Sequence, residues 1–132
     1  PPSFQAEDGI RDVLGGLVGS EMCIRDSNEA GVFNLCGKTQ LADTVDLLAC
    51  ARSVVTNDSG LMHVAAAVGV EINVIYGSST PDYTPPLTTD DKKKIFYLGL
   101  ECSPCFKRVC PLGHTDCLKN IKYDVVFNSI LG

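Results

Sequence analysis

Short apolar runs alternate with helix-like segments along most of this chain. Four runs are rich in β-branched or aromatic side chains and predict strands, at residues 32–36, 54–56, 72–76 and 94–98. Other segments carry apolar residues at helical spacing and predict helices, at residues 41–51, 59–68 and 123–130. Such alternation implies parallel strands joined by crossover connections. The pattern therefore predicts an α/β fold built on a parallel sheet.

Finer features of the pattern indicate which faces are buried. The first predicted helix has one apolar stripe, formed by Leu41, Val45, Leu48 and Ala49. The run at residues 72–76 is apolar enough for a central strand that is buried on both faces. Gly69 follows the second predicted helix and is expected to end it.

The turn that precedes the second predicted helix is the most informative segment. Asp58 or Ser59 is expected to cap the helix, because a side-chain oxygen there can accept from amides of the first turn. Gly60 lacks a Cβ at a place where a ligand would approach the backbone. The amides near Gly60, Leu61 and Met62 are expected to lack helical partners and to lie at the positive end of the helix dipole. This turn is therefore a candidate phosphate site.

Asp58 narrows the class of ligand. Its carboxylate repels a phosphate but accepts readily from a neutral hydroxyl, so a phosphate and a sugar side by side describe a sugar nucleotide. His63 lies one helical turn beyond Ser59 on the same face and is a candidate donor to the diphosphate or the sugar. A second interpretation stays open: Asp58 and Ser59 only cap the helix, and His63 is a half-buried packing residue.

Three motifs resemble glycosyltransferase family 9, the lipopolysaccharide heptosyltransferases, and occur in that family's order. They are TNDSGLMHVAAA at residues 56–67, YGSSTPDYTPP at 76–86 and CSPCFKRVCPLGH at 102–114, within a similarity over residues 31–121. The resemblance implies the Rossmann-like C-terminal half of a GT-B glycosyltransferase, which binds the donor. The other half of such enzymes binds the acceptor and supplies the general base. A chain of 132 residues amounts to about one domain, so we expect a partial donor domain over residues 28–132 that is inactive alone.

The resemblance also implies a reaction and a set of ligands. The intact enzyme would transfer heptose from ADP-L-glycero-β-D-manno-heptose to the lipopolysaccharide inner core, with inversion and with no cofactor required for catalysis. It would work in the cytoplasm, at the cytoplasmic face of the inner membrane, with peripheral membrane contact. Two alternatives stay open: another sugar-nucleotide-dependent GT-B enzyme, and a non-enzymatic module that binds a partner through a zinc loop.

Residue roles follow from the same resemblance. No catalytic residue is expected in this chain. Thr39 would lie near the base or ribose of ADP, although a plain turn residue or helix cap is the alternative for it. The residues around the heptose and the diphosphate would be Asp58, Ser59, Gly60, Leu61 and His63.

Residues 1–27 do not follow the pattern of the remainder. They show no sustained helical or strand periodicity, and parts of them resemble translated sequencing-adapter sequence, so we expect an artefactual leader. A signal peptide is not indicated, because the segment has five acidic residues, no basic start and no unbroken apolar stretch. The chain has no apolar run long enough for a transmembrane helix.

Charge argues against a nucleic-acid partner. The net charge is −5, and residues 1–27 contribute −3 of it through five acidic and two basic side chains. The remaining chain is therefore nearly neutral and has no broad basic patch. The basic run at residues 92–94 is expected to be a solvated approach to a strand, with weak contact to an anionic membrane as the alternative.

Four cysteines fall in a C-x2-C-x4-C-x6-C pattern at Cys102, Cys105, Cys110 and Cys117. Four thiols so close together in a cytoplasmic protein predict either a structural tetrahedral zinc or reduced thiols without metal, with disulfides as a third alternative. His114 could replace one thiol ligand. Cys36 and Cys50 are expected to be small buried apolar residues.

Overall fold

The computed structural model describes residues 33, 35 and 37–131. It divides the chain into two compact units, the first ending at Thr44 and the second beginning at Val45. Helix α1 (Leu41–Cys50) starts in the first unit, directly after Gln40. The carboxylate of Asp43 accepts from the Gln40 amide at 2.8 Å, so Gln40, and not Thr39, is the residue at the helix start.

The second unit is built on a three-stranded parallel sheet. Its strands are β1 (Ser53–Asn57), β2 (Glu71–Ile75) and β3 (Lys93–Phe96), in the order β1-β2-β3. The other elements are helix α2 (Gly60–Val68) between β1 and β2, a 3-10 turn (Asp90–Lys92) before β3, and helices α3 (Asp116–Lys119) and α4 (Tyr123–Leu131). The predicted α/β fold with a parallel sheet is confirmed.

Strand register brings two chain segments to one edge of the sheet. Asn57 pairs with Ile75, so β1 and β2 end side by side. The chain leaves both strands at the same edge. Residues 58–61, here called the α2 turn, and residues 77–86, here called the rim loop, therefore begin next to each other. Open parallel sheets bind ligands at this edge.

The core lies between α2 and the sheet. Its fully or nearly fully buried side chains are Met62, Ala65, Ala66, Val70, Ile72, Val74 and Tyr76. Gly69 adopts a left-handed conformation (φ 78°) and ends α2, as predicted. Three consecutive residues of β2 are fully buried, so the prediction of a central strand covered on both faces is also confirmed.

One of those three residues is polar. Asn73 donates from Nδ2 to Ser53 Oγ at 2.9 Å, and its Oδ1 lies 2.7 Å from Ser129 Oγ, a hydroxyl that shares its one proton between this oxygen and the Val126 carbonyl at 2.6 Å. Its amide group is thereby paired at both ends without access to water. These bonds tie α4 to the side of the sheet opposite α2.

The predicted apolar stripe of α1 is only half right. Leu48 packs against the core, but Leu41 is 62% exposed and Ala49 is also exposed. Periodicity gives the direction of a helix face, whereas the length of helix that meets a neighbour depends on tertiary packing. Cys50 is exposed rather than buried, so that prediction was wrong as well.

Some predictions fall wholly or partly outside the described residues. The strand predicted at 32–36 is one: Phe33 and Leu35 have no strand pairing and are exposed, and the other three positions are not described. Cys36 and the leader at residues 1–27 also lie outside. Within the described part, the 3-10 turn and α3 were not predicted, since both are too short to show a period.

The basic run makes contacts within its own chain. Lys92 donates to the Gly69 carbonyl at 2.8 Å, Lys93 pairs with Asp90 at 2.8 Å, and Lys94 pairs with Glu71 at 3.1 Å. These contacts fasten β3 and the turn before it to β2 and to the end of α2, and they leave no free patch of three ammonium groups. None of the described helices is long and apolar enough to cross a membrane.

Candidate functional site

The turn from β1 into α2 contains an unpaired buried hydroxyl. Ser59 occupies the N-cap position in extended conformation, but its side chain makes no capping hydrogen bond. Its Oγ is buried and, alone among buried side-chain oxygens and nitrogens of the described residues, has no partner. The predicted side-chain cap by Asp58 or Ser59 is therefore wrong. A buried hydroxyl without a partner costs about 1–3 kcal/mol, and a ligand at this turn would remove that cost.

Two backbone amides next to that hydroxyl are also unpaired. The Met62 amide donates to the Ser59 carbonyl at 3.1 Å, so the prediction that it is free was wrong. The amides of Gly60 and Leu61 have no acceptor among the described residues. They lie at the start of a nine-residue helix, where the dipole favours an anion.

Space is open in front of this helix start. A Cβ built on Gly60 would meet no atom within 4 Å, and the residue is exposed. The described part of the chain therefore requires no glycine there for packing. A missing side chain at this position leaves the two free amides accessible.

Asp58 takes its hydrogen bond from the rim loop. Thr84 Oγ1 donates to Asp58 Oδ2 at 2.9 Å, across 26 residues of sequence. The other carboxylate oxygen accepts no hydrogen bond from the described residues. A half-buried carboxylate with one occupied and one open oxygen can accept from a neutral hydroxyl of a ligand.

Tyr76 lies beneath this pair. Its ring is fully buried, and its hydroxyl donates to the Thr84 carbonyl at 2.6 Å. Burial, together with the negative charge of Asp58, raises the pKa of Tyr76 to about 12, although the side chain of Thr84 opposes the shift. Tyr76 therefore keeps its proton near neutral pH and remains a donor to the rim loop.

The remaining predicted site residues differ in placement. Leu61 is half-buried, and His63 is exposed on α2, one turn beyond Ser59. The structure therefore brings Asp58, Ser59, Gly60, Leu61 and His63 together on one turn and the first turn of its helix. Thr39 lies before α1 in the first unit, and its relation to Asp58 stays a prediction.

The four clustered cysteines surround one small cavity. Residues 102–117, here called the cysteine loop, line a cavity of about 100 Å³ with all four thiols and His114, and Ser78 and Leu118 complete its wall. The described cysteines form no disulfide. Over the same part of the chain, no three side chains of His, Cys, Asp or Glu are arranged to hold a metal ion. The choice between structural zinc and metal-free reduced thiols stays a prediction.

The thiols differ in acidity. Backbone amides, foremost that of Thr115, hold the pKa of Cys110 below its usual value. Burial raises the pKa of Cys117, and the other three thiols add to that effect. Because the thiolate is the reactive form, Cys110 is the better nucleophile of the two.

The cysteine loop packs on the rim loop. Ser103 Oγ donates to the Gly77 carbonyl at 2.5 Å, and the Phe106 amide donates to the Ser78 carbonyl at 2.7 Å. The Phe106 ring also lies 5.7 Å from that of Tyr83. Sequence reasoning missed these contacts and the role of Thr84, because no local spacing relates such distant positions.

A parallel α/β unit with an open anion site at the carboxyl ends of its strands is typical of nucleotide-binding enzymes. The chain belongs to glycosyltransferase family 9 (heptosyltransferase), whose family model matches residues 19–116. Membership of this enzyme family favours a transferase over the non-enzymatic module left open above. The match begins within residues 1–27, and the nature of that segment stays a prediction.

The chain is similar to several heptosyltransferases. Lipopolysaccharide heptosyltransferase 2 of Escherichia coli K12 is 49% identical over 89 residues, which cover 62% of this chain and 26% of that protein. Lipooligosaccharide heptosyltransferase 2 of Campylobacter jejuni serotype O:2 is 36% identical over 129 residues, covering 94% and 40%. The solved structure of E. coli ADP-heptose LPS heptosyltransferase II matches with a TM-score of 0.63 and 35% identity, over 86% of this chain and 32% of that one. The chain thus spans less than half the length of these relatives.

Proposed function

We propose that this chain binds the donor of a lipopolysaccharide heptosyltransferase, ADP-L-glycero-β-D-manno-heptose. The observation that carries the proposal is the α2 turn, where unpaired donors and a half-open carboxylate stand side by side. The amides of Gly60 and Leu61 and the hydroxyl of Ser59 suit an anion, whereas Asp58 suits a neutral hydroxyl. A diphosphate joined to a sugar satisfies both.

The proposed reaction is a direct displacement at the anomeric carbon of the donor. The acceptor hydroxyl of the lipopolysaccharide inner core would attack, the bond to the diphosphate would break, and ADP would leave with inversion. Negative charge then grows on the departing phosphate, where the two free amides would stabilise it. His63, one turn further along the helix, would donate to the same group.

We assign the other parts of the reaction to no residue of this chain. The general base and the acceptor contacts would come from the half of a GT-B enzyme that this chain does not match. Transfer would take place at the cytoplasmic face of the inner membrane, with peripheral contact to it. Family membership and the names of the relatives support the lipopolysaccharide acceptor and the ADP-heptose donor of this proposal.

Calorimetry on the 132-residue chain tests the donor assignment. ADP-heptose should bind most tightly, then ADP, and UDP and GDP should bind more weakly. AMP is the matched control, because it keeps the base and ribose but lacks the second phosphate, and it should bind more weakly than ADP. A preference for UDP or GDP would favour another sugar-nucleotide enzyme, and no binding of any nucleotide would contradict the proposal.

A further inference from the structure

Asp58 depends on a distant residue for its orientation. No hydrogen-bond donor in its own turn contacts the carboxylate, and the contact comes from Thr84 on the rim loop, at 2.9 Å. An aspartate side chain on a turn is otherwise free to choose among its rotamers. Thr84 therefore selects one of them.

The Thr84 hydroxyl has a second acceptor within reach, and comparing the two shows which bond it makes. Its Oγ1 lies 3.3 Å from the Thr80 carbonyl but 2.9 Å from Asp58 Oδ2. A hydroxyl has a single proton, and a charged acceptor at the shorter distance makes the stronger bond. The proton therefore points to Asp58, and the Thr80 carbonyl is a weaker alternative.

Thr84 itself is held in place by the core residue Tyr76. Its carbonyl accepts from the buried hydroxyl of Tyr76, whose own amide donates to the Phe96 carbonyl of β3 at 2.9 Å. Thr84 is thus connected to the sheet through two hydrogen bonds of one core residue. A rigid support of this kind is what a residue needs in order to orient another side chain.

We infer that Thr84 is a positioning residue for sugar recognition: it holds Asp58 by one oxygen so that the other faces the donor sugar. The inference rests on the proposed function and deepens it. Thr84 would act through Asp58 and would not contact the ligand. Its removal should therefore affect recognition of the sugar and leave recognition of the nucleotide unchanged.

Three variants of the 132-residue chain test this role by calorimetry with ADP-heptose and with ADP. Thr84→Val removes the hydroxyl at nearly constant shape and should weaken ADP-heptose by roughly three- to tenfold, the cost of ordering one side chain. ADP affinity should not change. Thr84→Ser keeps the hydroxyl and should restore ADP-heptose binding, and Thr88→Val, the same substitution on a threonine without a bond to Asp58, should have no effect.

A double variant separates positioning from a direct contact and from misfolding. If Thr84 acts through Asp58, then Thr84→Val should add nothing to the loss already caused by Asp58→Ala. Additive losses, or an equal loss of ADP and ADP-heptose in Thr84→Val, would overturn the inference. Other results would contradict the proposed function itself. These are an unmodified protein that shows no preference for ADP-heptose over ADP, or an Asp58→Ala variant that keeps this preference.

Discussion

Replacing Asp58 by alanine should separate the affinities for two ligands that share the same nucleotide. ADP-heptose contains heptose hydroxyls that the open carboxylate oxygen can accept from, whereas ADP has its ribose but no heptose. Loss of a hydrogen bond to a charged group costs about 1.5–3 kcal/mol, so ADP-heptose should bind roughly ten- to a hundredfold more weakly. ADP should bind equally well or better, because a carboxylate beside a phosphate site repels the phosphate.

The structure also predicts a small effect of this substitution on folding. Without the carboxylate, the Thr84 hydroxyl still has the Thr80 carbonyl at 3.3 Å as an acceptor, so it is not left unpaired. The melting temperature of Asp58→Ala should therefore stay close to that of the unmodified chain. This makes a selective loss of ADP-heptose interpretable as a local change at the site.

Isothermal titration calorimetry with both ligands is the direct assay. Asp82→Ala is the matched control. It also removes one aspartate charge near the site, but from the rim loop, where the carboxylate contacts Thr80 rather than Thr84. Asp58→Asn keeps an acceptor for Thr84 but lacks the charge, and should give an intermediate loss of ADP-heptose. Equal losses of ADP and ADP-heptose in Asp58→Ala would refute the reasoning, since the residue would then only support the turn.

Three further predictions follow from the same site and its surroundings. Gly60→Val should weaken ADP and ADP-heptose alike in calorimetry while leaving the fold intact, because its side chain enters open space in front of the free amides; unchanged binding would remove the phosphate site. In metal-free protein, mass spectrometry should find Cys110 alkylated before Cys117, because the pKa of Cys110 is lowered and that of Cys117 is raised; the reverse order would contradict this difference. Zinc analysis of protein purified without chelator decides whether the four cysteines bind metal: about one equivalent means a zinc site, and none means reduced thiols. Tyr76 should contribute stability that is complete below pH 10 and is lost as the pH rises towards 12, because the pKa of its hydroxyl is higher in the folded chain than in the unfolded chain. Chemical denaturation at these pH values should show the loss of stability, and the Tyr76→Phe variant should not show it.

Local sequence was sufficient for the elements that form the site. The apolar run before Asn57, the small residues after it and Gly69 predicted β1, α2 and the end of α2 almost to the residue. Such features depend on neighbours one to four positions apart, which the sequence displays directly. The same segment also indicated the free amides of Gly60 and Leu61.

The hydrogen-bond partners of the site residues were not predicted correctly from the sequence. The sequence suggested that Asp58 or Ser59 caps α2, yet Asp58 bonds to Thr84 and the Ser59 hydroxyl bonds to nothing in the described chain. A carboxylate accepts from whichever donor the folded backbone brings closest. For Asp58 that donor is Thr84 on the rim loop, 26 residues further along the chain.

Burial, like hydrogen bonding, was predicted only in part from the sequence. Hydrophobic spacing identified β2 as central, but it did not predict that Asn73 would lie fully buried within it. Asn73 is tolerated there because Ser53 and Ser129, 20 and 56 residues away, satisfy its amide group. The sequence by itself determined the three strands, the helices α1, α2 and α4, and the chemistry available at the turn. Only the tertiary structure decided which polar groups are paired and which stay open for a ligand, because that depends on distances between residues far apart in the chain.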